Sequence, residues 1–268
     1  MNTPLLNITD LCVSYHGRSV LEHVSFDVSQ GETLGIIGRS GAGKSTIALA
    51  LTGLLDANVA TVTGRIEFQG QDLLQSGEAD LCRLRGSSIG MIFQDPVGSL
   101  DPAMLVEDQV VEAIQIHERI DRNEARLKAR QRLAAAGITA EVLATAPYAH
   151  QLSGGMCQRV MVAVALACGP RLLIADEPTS SLDLTLQAQI VHLIKKVQAE
   201  SGLAMIFISH DLALVSRIAD NIAVIHKGVL VERGICDQVL NRPVHEYTRS
   251  LVAAWKHETE GSVRIASA

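Results

Sequence analysis

Apolar residues recur along this chain in two rhythms, short runs of the kind that form strands and longer stretches at helical spacing. Residues 11–15 and 24–28 read as strands, and Gln30-Gly31-Glu32 is a turn signal before the apolar run 33–37. That run leads directly into a glycine-rich segment. Residues 46–55 then predict a helix, Ile66-Glu67-Phe68 a strand, and Gly70 a turn. From 107 to 136 charged and apolar residues recur at helical spacing, ending at Gly137, a C-terminal cap signal. The stretch reads as a helical insertion. Beyond it come a helix over 156–167, a buried strand 172–175 delivering Asp176, a helix over 184–200, and a strand 205–208 delivering Ser209 and His210.

Strands alternating with helices imply an α/β fold with a mostly parallel sheet, whose ligand site lies beyond the carboxyl ends of the strands. A length of 268 residues suits one domain carrying a substantial insertion. With 47% hydrophobic and 19% charged residues the chain is too apolar for disorder. A formal charge of −6 and the lack of any basic block argue against nucleic acid or anionic lipid as the main partner. Cys12, Cys82, Cys157, Cys168 and Cys236 are scattered without C-x-x-C or zinc-like spacing and read as reduced thiols. Every apolar run falls far below the ~18 residues needed to span a bilayer, so membrane association has to come through a partner. There is no internal repeat, and the tail after Trp255 is expected to fray.

The glycine-rich segment Gly38-Arg39-Ser40-Gly41-Ala42-Gly43-Lys44-Ser45 fits G-x-x-x-x-G-K-[ST] between an expected strand and an expected helix that opens at Thr46, the context that makes it a P-loop. Glycines let backbone N–H groups converge on phosphate oxygens, and the following helix aims its positive end at the same anion. Lys44 is placed to reach the β- and γ-phosphates of ATP, and Ser45 to ligate Mg²⁺. The buried run ending in Asp176 has the form of a strand that delivers a magnesium-holding carboxylate. Glu177 follows, placed to act as general base on the attacking water.

Leu152-Ser153-Gly154-Gly155-Met156-Cys157-Gln158-Arg159 resembles the Leu-Ser-Gly-Gly-x-x-Gln-Arg signature of the ABC ATPases. The resemblance covers about residues 5–254 and departs from many cassettes only at Met156-Cys157, which are variable positions. It implies an α/β P-loop NTPase (RecA-like) core, about 1–94 and 160–254, with an N-terminal antiparallel β subdomain and an inserted α-helical subdomain over about 95–159. It implies that Ser153, Gly154 and Gly155 grip the nucleotide bound to an opposite subunit, so that two cassettes sandwich two ATP molecules. The whole loop from Gly38 to Ser45, with Thr46, becomes the nucleotide cradle. Tyr15 matches the aromatic that stacks on adenine, although a core or edge role suits it equally. Gln94 matches a glutamine contacting magnesium and water, and His210 a histidine bonding the γ-phosphate. Asp183 matches an aspartate at the dimer interface, and a helix N-cap is the other reading of it.

The wording of 91–102 and of His245-Glu246-Tyr247-Thr248-Arg249-Ser250-Leu251 is similar to ATPases that energise import of peptides and nickel. Such importers pair two different ATPase subunits with two transmembrane permease subunits and an extracytoplasmic binding protein. A heterodimer at the cytoplasmic face of the inner membrane is therefore expected. The short tail turns the expectation towards nickel, with di- and oligopeptides as the alternative. A soluble ABC ATPase or a nucleotide switch is the reading from another class; intact Glu177 and His210 favour turnover over passive binding.

Overall fold

The computed structural model describes residues 3–180 and 182–266, with side chains described to residue 257. The tail expected to fray after Trp255 falls largely outside the described side chains, and Ser181 lies outside the described residues. The chain forms two units, Met1–Gln75 with Ile206–Ala268, and Ser76–Met205.

In the first unit, alternating apolar residues build an antiparallel sheet from β1 (Leu6–Tyr15), β2 (Arg18–Val28), β4 (Ala60–Phe68) and β5 (Gln71–Asp72), in the order β2-β1-β4-β5. The register sets Leu6 opposite both Val28 and Phe68, and Ile8 opposite both Phe26 and Ile66, so large apolar side chains share one face. All six are buried. A bulge after Ile8 interrupts the ladder, with Asp10 in the left-handed region at φ 55°.

β3 (Thr33–Ile37) is buried at all five positions, which marks a strand covered on both faces. It runs parallel to β9 (Asn221–His226), which turns into antiparallel β10 (Val229–Ile235). Asp220 accepts a hydrogen bond from the Thr33 amide at 2.8 Å, fixing the start of β3 beside β9. Helices α1 (Lys44–Thr52), α8 (Leu212–Ile218), α9 (Cys236–Asn241) and α10 (Glu246–Ala266) complete the unit. The sequence reading placed no strand over 221–235. That hairpin has a short apolar run, Ile222 to Ile225, that is legible only once β3 lies beside it.

The second unit holds α2 (Glu78–Leu84), β6 (Ile89–Ile92), α3 (Val106–His117), α4 (Arg122–Ala135), α5 (Ala140–Thr145), α6 (Gly154–Ala165), β7 (Leu172–Asp176) and α7 (Leu184–Ser201). β6 and β7 are parallel, and the boundary between the units falls within β8 (Ala204–Ser209). The single helical stretch expected over 107–136 is two helices. Asp121 starts the second by accepting from the Asn123 and Glu124 amides, a side-chain cap that competes with continuation of the first. Its charge pattern is then explained. Glu107 pairs with Arg126 and Arg130, and Asp108 with Arg122, tying α3 to α4. Gly137 ends α4 as expected, at φ 82° with its amide donating to the Ala134 carbonyl. Among the described residues no helix is long and apolar enough to cross a membrane.

The one-sided sheet predicts an asymmetric response to truncation. Ile66→Ala should destabilise the first unit by about 2–5 kcal/mol in urea unfolding, while Thr61→Ala on the exposed face should cost less than about 1 kcal/mol. Equal costs would show that the face assignment is wrong.

Candidate functional site

In the first unit β3 ends at Ile37 and the chain turns at once through Gly38-Arg39-Ser40-Gly41-Ala42-Gly43 into α1. Gly43 occupies the N-cap at φ 103°, and a Cβ there would stand 2.6 Å from Leu21 Cδ2 and 3.1 Å from the Val20 carbonyl. Only glycine satisfies both conditions. A glycine N-cap has no side chain to offer the first amides of α1, and the first turn carries no acidic residue. The positive end of the helix is thereby left for an anion. Lys44 is 5% exposed, and its ammonium donates to the carbonyls of Gly38 at 2.9 Å and Arg39 at 3.2 Å. Ser45 is exposed on the first turn, beside half-buried Thr46. The Ala42 amide donates to the Arg39 carbonyl and the Gly228 amide to the Ala42 carbonyl, so both flanks of the loop are held.

Two further expected residues belong to this unit. Tyr15 is half-buried at the end of β1, paired with Arg18 and Ala60. His210 is exposed directly after β8, and Asp211 beside it caps α8 by accepting from the Leu214 amide.

The second unit brings together Gln94, Asp176 and Glu177. Parallel register sets Ile92 opposite Ala175, so the residues that follow β6 and β7 emerge side by side. Gln94 Nε2 donates to Glu177 Oε2 at 3.3 Å. Asp176, 5% exposed, is the last residue of β7, and Glu177 takes a left-handed backbone at φ 45°. A non-glycine residue held there is uncommon, and such conformations gather at functional turns. The segment after Gln94 is stapled by side chains: Asp95 accepts from the Val97 and Gly98 amides, and Gln109 bonds both the amide and the carbonyl of Asp101.

Ser153 caps α6 by accepting from the Met156 amide at 3.3 Å, with Gly154 and Gly155 as the first helical residues. A Cβ on Gly155 would stand 2.9 Å from Leu186 Cδ1, so the start of α6 lies against the start of α7. Asp183 caps α7, accepting from Thr185 at 2.9 Å and Leu186 at 3.0 Å; the N-cap reading of this residue holds. Arg159 donates to the Ala136 carbonyl and to Gln189, joining the end of α4, α6 and α7. Sequence reading gave Arg159 no such task, because a guanidinium's partners lie far along the chain. Among the described residues no group of three or more His, Cys, Asp or Glu is placed to hold a metal ion by itself.

Residues 21–180 match the family model described as ABC transporter. The chain is 42% identical over 267 residues to the dipeptide transport ATP-binding protein DppD of Escherichia coli (strain K12), covering 98% of this chain and 82% of that protein. It is 42% identical to the glutathione import ATP-binding protein GsiA of Salmonella choleraesuis, covering 93% of this chain and 42% of that protein. Among solved structures, the ATP-binding cassette MJ0796, a dimer in a post-hydrolysis state bound to ADP and Pi, superposes with a TM-score of 0.77 at 26% identity, over 86% of this chain and 98% of that one.

The cap at Asp183 carries its own prediction. Asp183→Ala should lower stability by about 1 kcal/mol, and Asp183→Asn, which keeps an acceptor, by only a few tenths. Thermal unfolding of the two variants measures the difference, and equal losses would remove the capping role.

Proposed function

The chain belongs to the ABC transporter family as one of its ATP-binding cassettes, and from that premise we propose that it is the ATP-hydrolysing subunit of an importer of short peptides. The observation that carries the cargo class is the 42% identity to a dipeptide transport ATP-binding protein along 98% of the chain. The nickel expectation rested on tail length alone, a feature remote from any cargo. The peptide alternative now has the better support.

In this reading the amides of 38–46 and the ammonium of Lys44 hold the β- and γ-phosphates of ATP, the substrate, while Tyr15 stacks on its adenine. The donor set fits a magnesium ion, which takes oxygen ligands: the Ser45 hydroxyl, the Asp176 carboxylate and the Gln94 amide oxygen would hold Mg²⁺, whose charge neutralises that developing on the phosphates. Glu177 accepts the proton of the attacking water, and Gln94, at hydrogen-bond distance from it, orients that water. His210 donates to the γ-phosphate. Ser153, Gly154 and Gly155 present a second helix N-terminus, which grips the γ-phosphate held by a partner cassette, with Asp183 at the contact between the two.

Each phosphate chain then joins one subunit's P-loop to the other's α6. Hydrolysis and phosphate release remove the joining charge, and the dimer reopens. Two permease subunits take up that motion, and an extracytoplasmic binding protein delivers the cargo. The partner cassette is a different chain, and the assembly sits at the cytoplasmic face of the inner membrane.

Glu177→Gln should lower steady-state ATPase turnover by about 10²–10⁴-fold while retaining ATP, and stabilise the closed dimer in size-exclusion chromatography with ATP. Rapid turnover by this variant would remove Glu177 from the base role, and a wild-type chain without turnover would favour a nucleotide switch. In cells, Lys44→Ala should abolish uptake of a radiolabelled dipeptide and leave radiolabelled nickel uptake unchanged. The opposite pattern would restore nickel as cargo.

A further inference from the structure

The stretch His245-Glu246-Tyr247-Thr248-Arg249, distinctive in sequence but without a task there, is anchored residue by residue. Glu232 on β10 accepts from the amides of Val244 at 2.8 Å and His245 at 2.9 Å. Burial works against the charge on Glu232, yet the nearby Thr248 side chain and the hydrogen bonds from these two amides outweigh it and hold the carboxyl below its usual range. Thr248 is fully buried, His245 Nδ1 accepts from the Tyr247 amide at 3.1 Å, and Arg249 donates to the Val244 carbonyl at 2.7 Å. The start of α10 is thus fixed on β10.

From that fixed point Tyr247 reaches the phosphate loop. Its ring stacks on His226 with centroids 3.8 Å apart and planes 26° from parallel. Its hydroxyl accepts from the backbone N–H of Arg39 at 3.1 Å, across 208 positions of sequence. His226 ends β9, and the carbonyl of Ile225 before it stands 2.3 Å from where a Cβ on Gly38 would be. Gly38 therefore lies hard against the strand whose end carries the ring. The Arg39 carbonyl is meanwhile engaged by Lys44 and by the Ala42 amide. Both polar groups of the Arg39 backbone are committed.

We propose that Tyr247 is a positioning residue for the nucleotide: its hydroxyl fixes the first turn of the 38–45 loop in its binding shape before ATP arrives. The inference rests on the reading of that loop as the ATP cradle. A loop already in shape loses less freedom when it binds, so the bond contributes to affinity without touching the nucleotide. Chemistry at the γ-phosphate, which depends on other residues, is left unchanged.

The test uses the full chain with Mg²⁺–ATP in isothermal titration calorimetry, comparing wild type, Tyr247→Phe and Lys44→Ala. Tyr247→Phe keeps the ring and its stack and deletes only the acceptor. We expect its Kd to rise about 3- to 10-fold, the range that one net hydrogen bond supplies. KM for ATP should rise in step with kcat unchanged, and the Arg39 amide should exchange with deuterium faster in the nucleotide-free protein. His226→Leu, which removes the stack and leaves the hydroxyl, should raise Kd in the same direction by a smaller factor, and serves should Tyr247→Phe fold poorly. Unchanged Kd in both variants overturns the proposal, as does a lower melting temperature with Kd and Arg39 exchange unaltered. If wild type and Lys44→Ala bind ATP equally, the cradle reading itself fails, whatever Tyr247→Phe does.

Discussion

The arrangement depends on one helix end. α1 begins at a glycine that has no side chain with which to cap it, and its first turn has no carboxylate, so its amides and their partial positive charge face outward. Everything around that end keeps it in place. A fully buried β3 fixes where the loop begins, Leu21 and Val20 press against Gly43, and Lys44 is buried with its ammonium satisfied by two carbonyls of its own loop. A buried ammonium is tolerable only with such partners, and here the partners are the groups that define the loop's shape.

Other helix starts in the chain are treated differently. Asp183 and Asp211 close α7 and α8 with carboxylates, each accepting backbone amides at about 3 Å. Negative charge already sits at those ends. Ser153 at α6 is intermediate: a neutral hydroxyl at the long limit of a hydrogen bond to Met156, ahead of two glycines. A weak neutral cap yields to a phosphate at low cost, whereas a carboxylate cap repels one.

The phosphate loop is also held from afar in sequence. Its Arg39 amide bonds Tyr247 and its later part bonds Gly228, so strands β9 and β10 and the start of α10 act on it together. Glu232 is the anchor of this system, because it gathers the amides of Val244 and His245 at one carboxylate. A stretch that looked like family wording is a strap with a mechanical purpose.

Local chemistry determined much of this protein from sequence alone. The P-loop spacing, the apolar run ending in Asp176-Glu177 and the Ser153-Gly154-Gly155 signature depend on neighbours within a few residues, and their elements form close to where expected, with α1 at Lys44–Thr52 rather than 46–55 and α6 at Gly154–Ala165 rather than 156–167. Gly137 ended α4 for the same reason, since a left-handed cap is a property of one position. Tertiary structure alone decided the rest. The packing of α3 against α4 depends on Glu107 and Asp108 finding arginines on the second helix, and the β9–β10 hairpin on the presence of β3. Gln94 meets Glu177 only because β6 and β7 pair in parallel at one register, and Tyr247 meets Arg39 only because Glu232 fixes the start of α10. Spacing along a chain encodes local geometry, but contacts across 83 or 208 positions exist only after the core has closed.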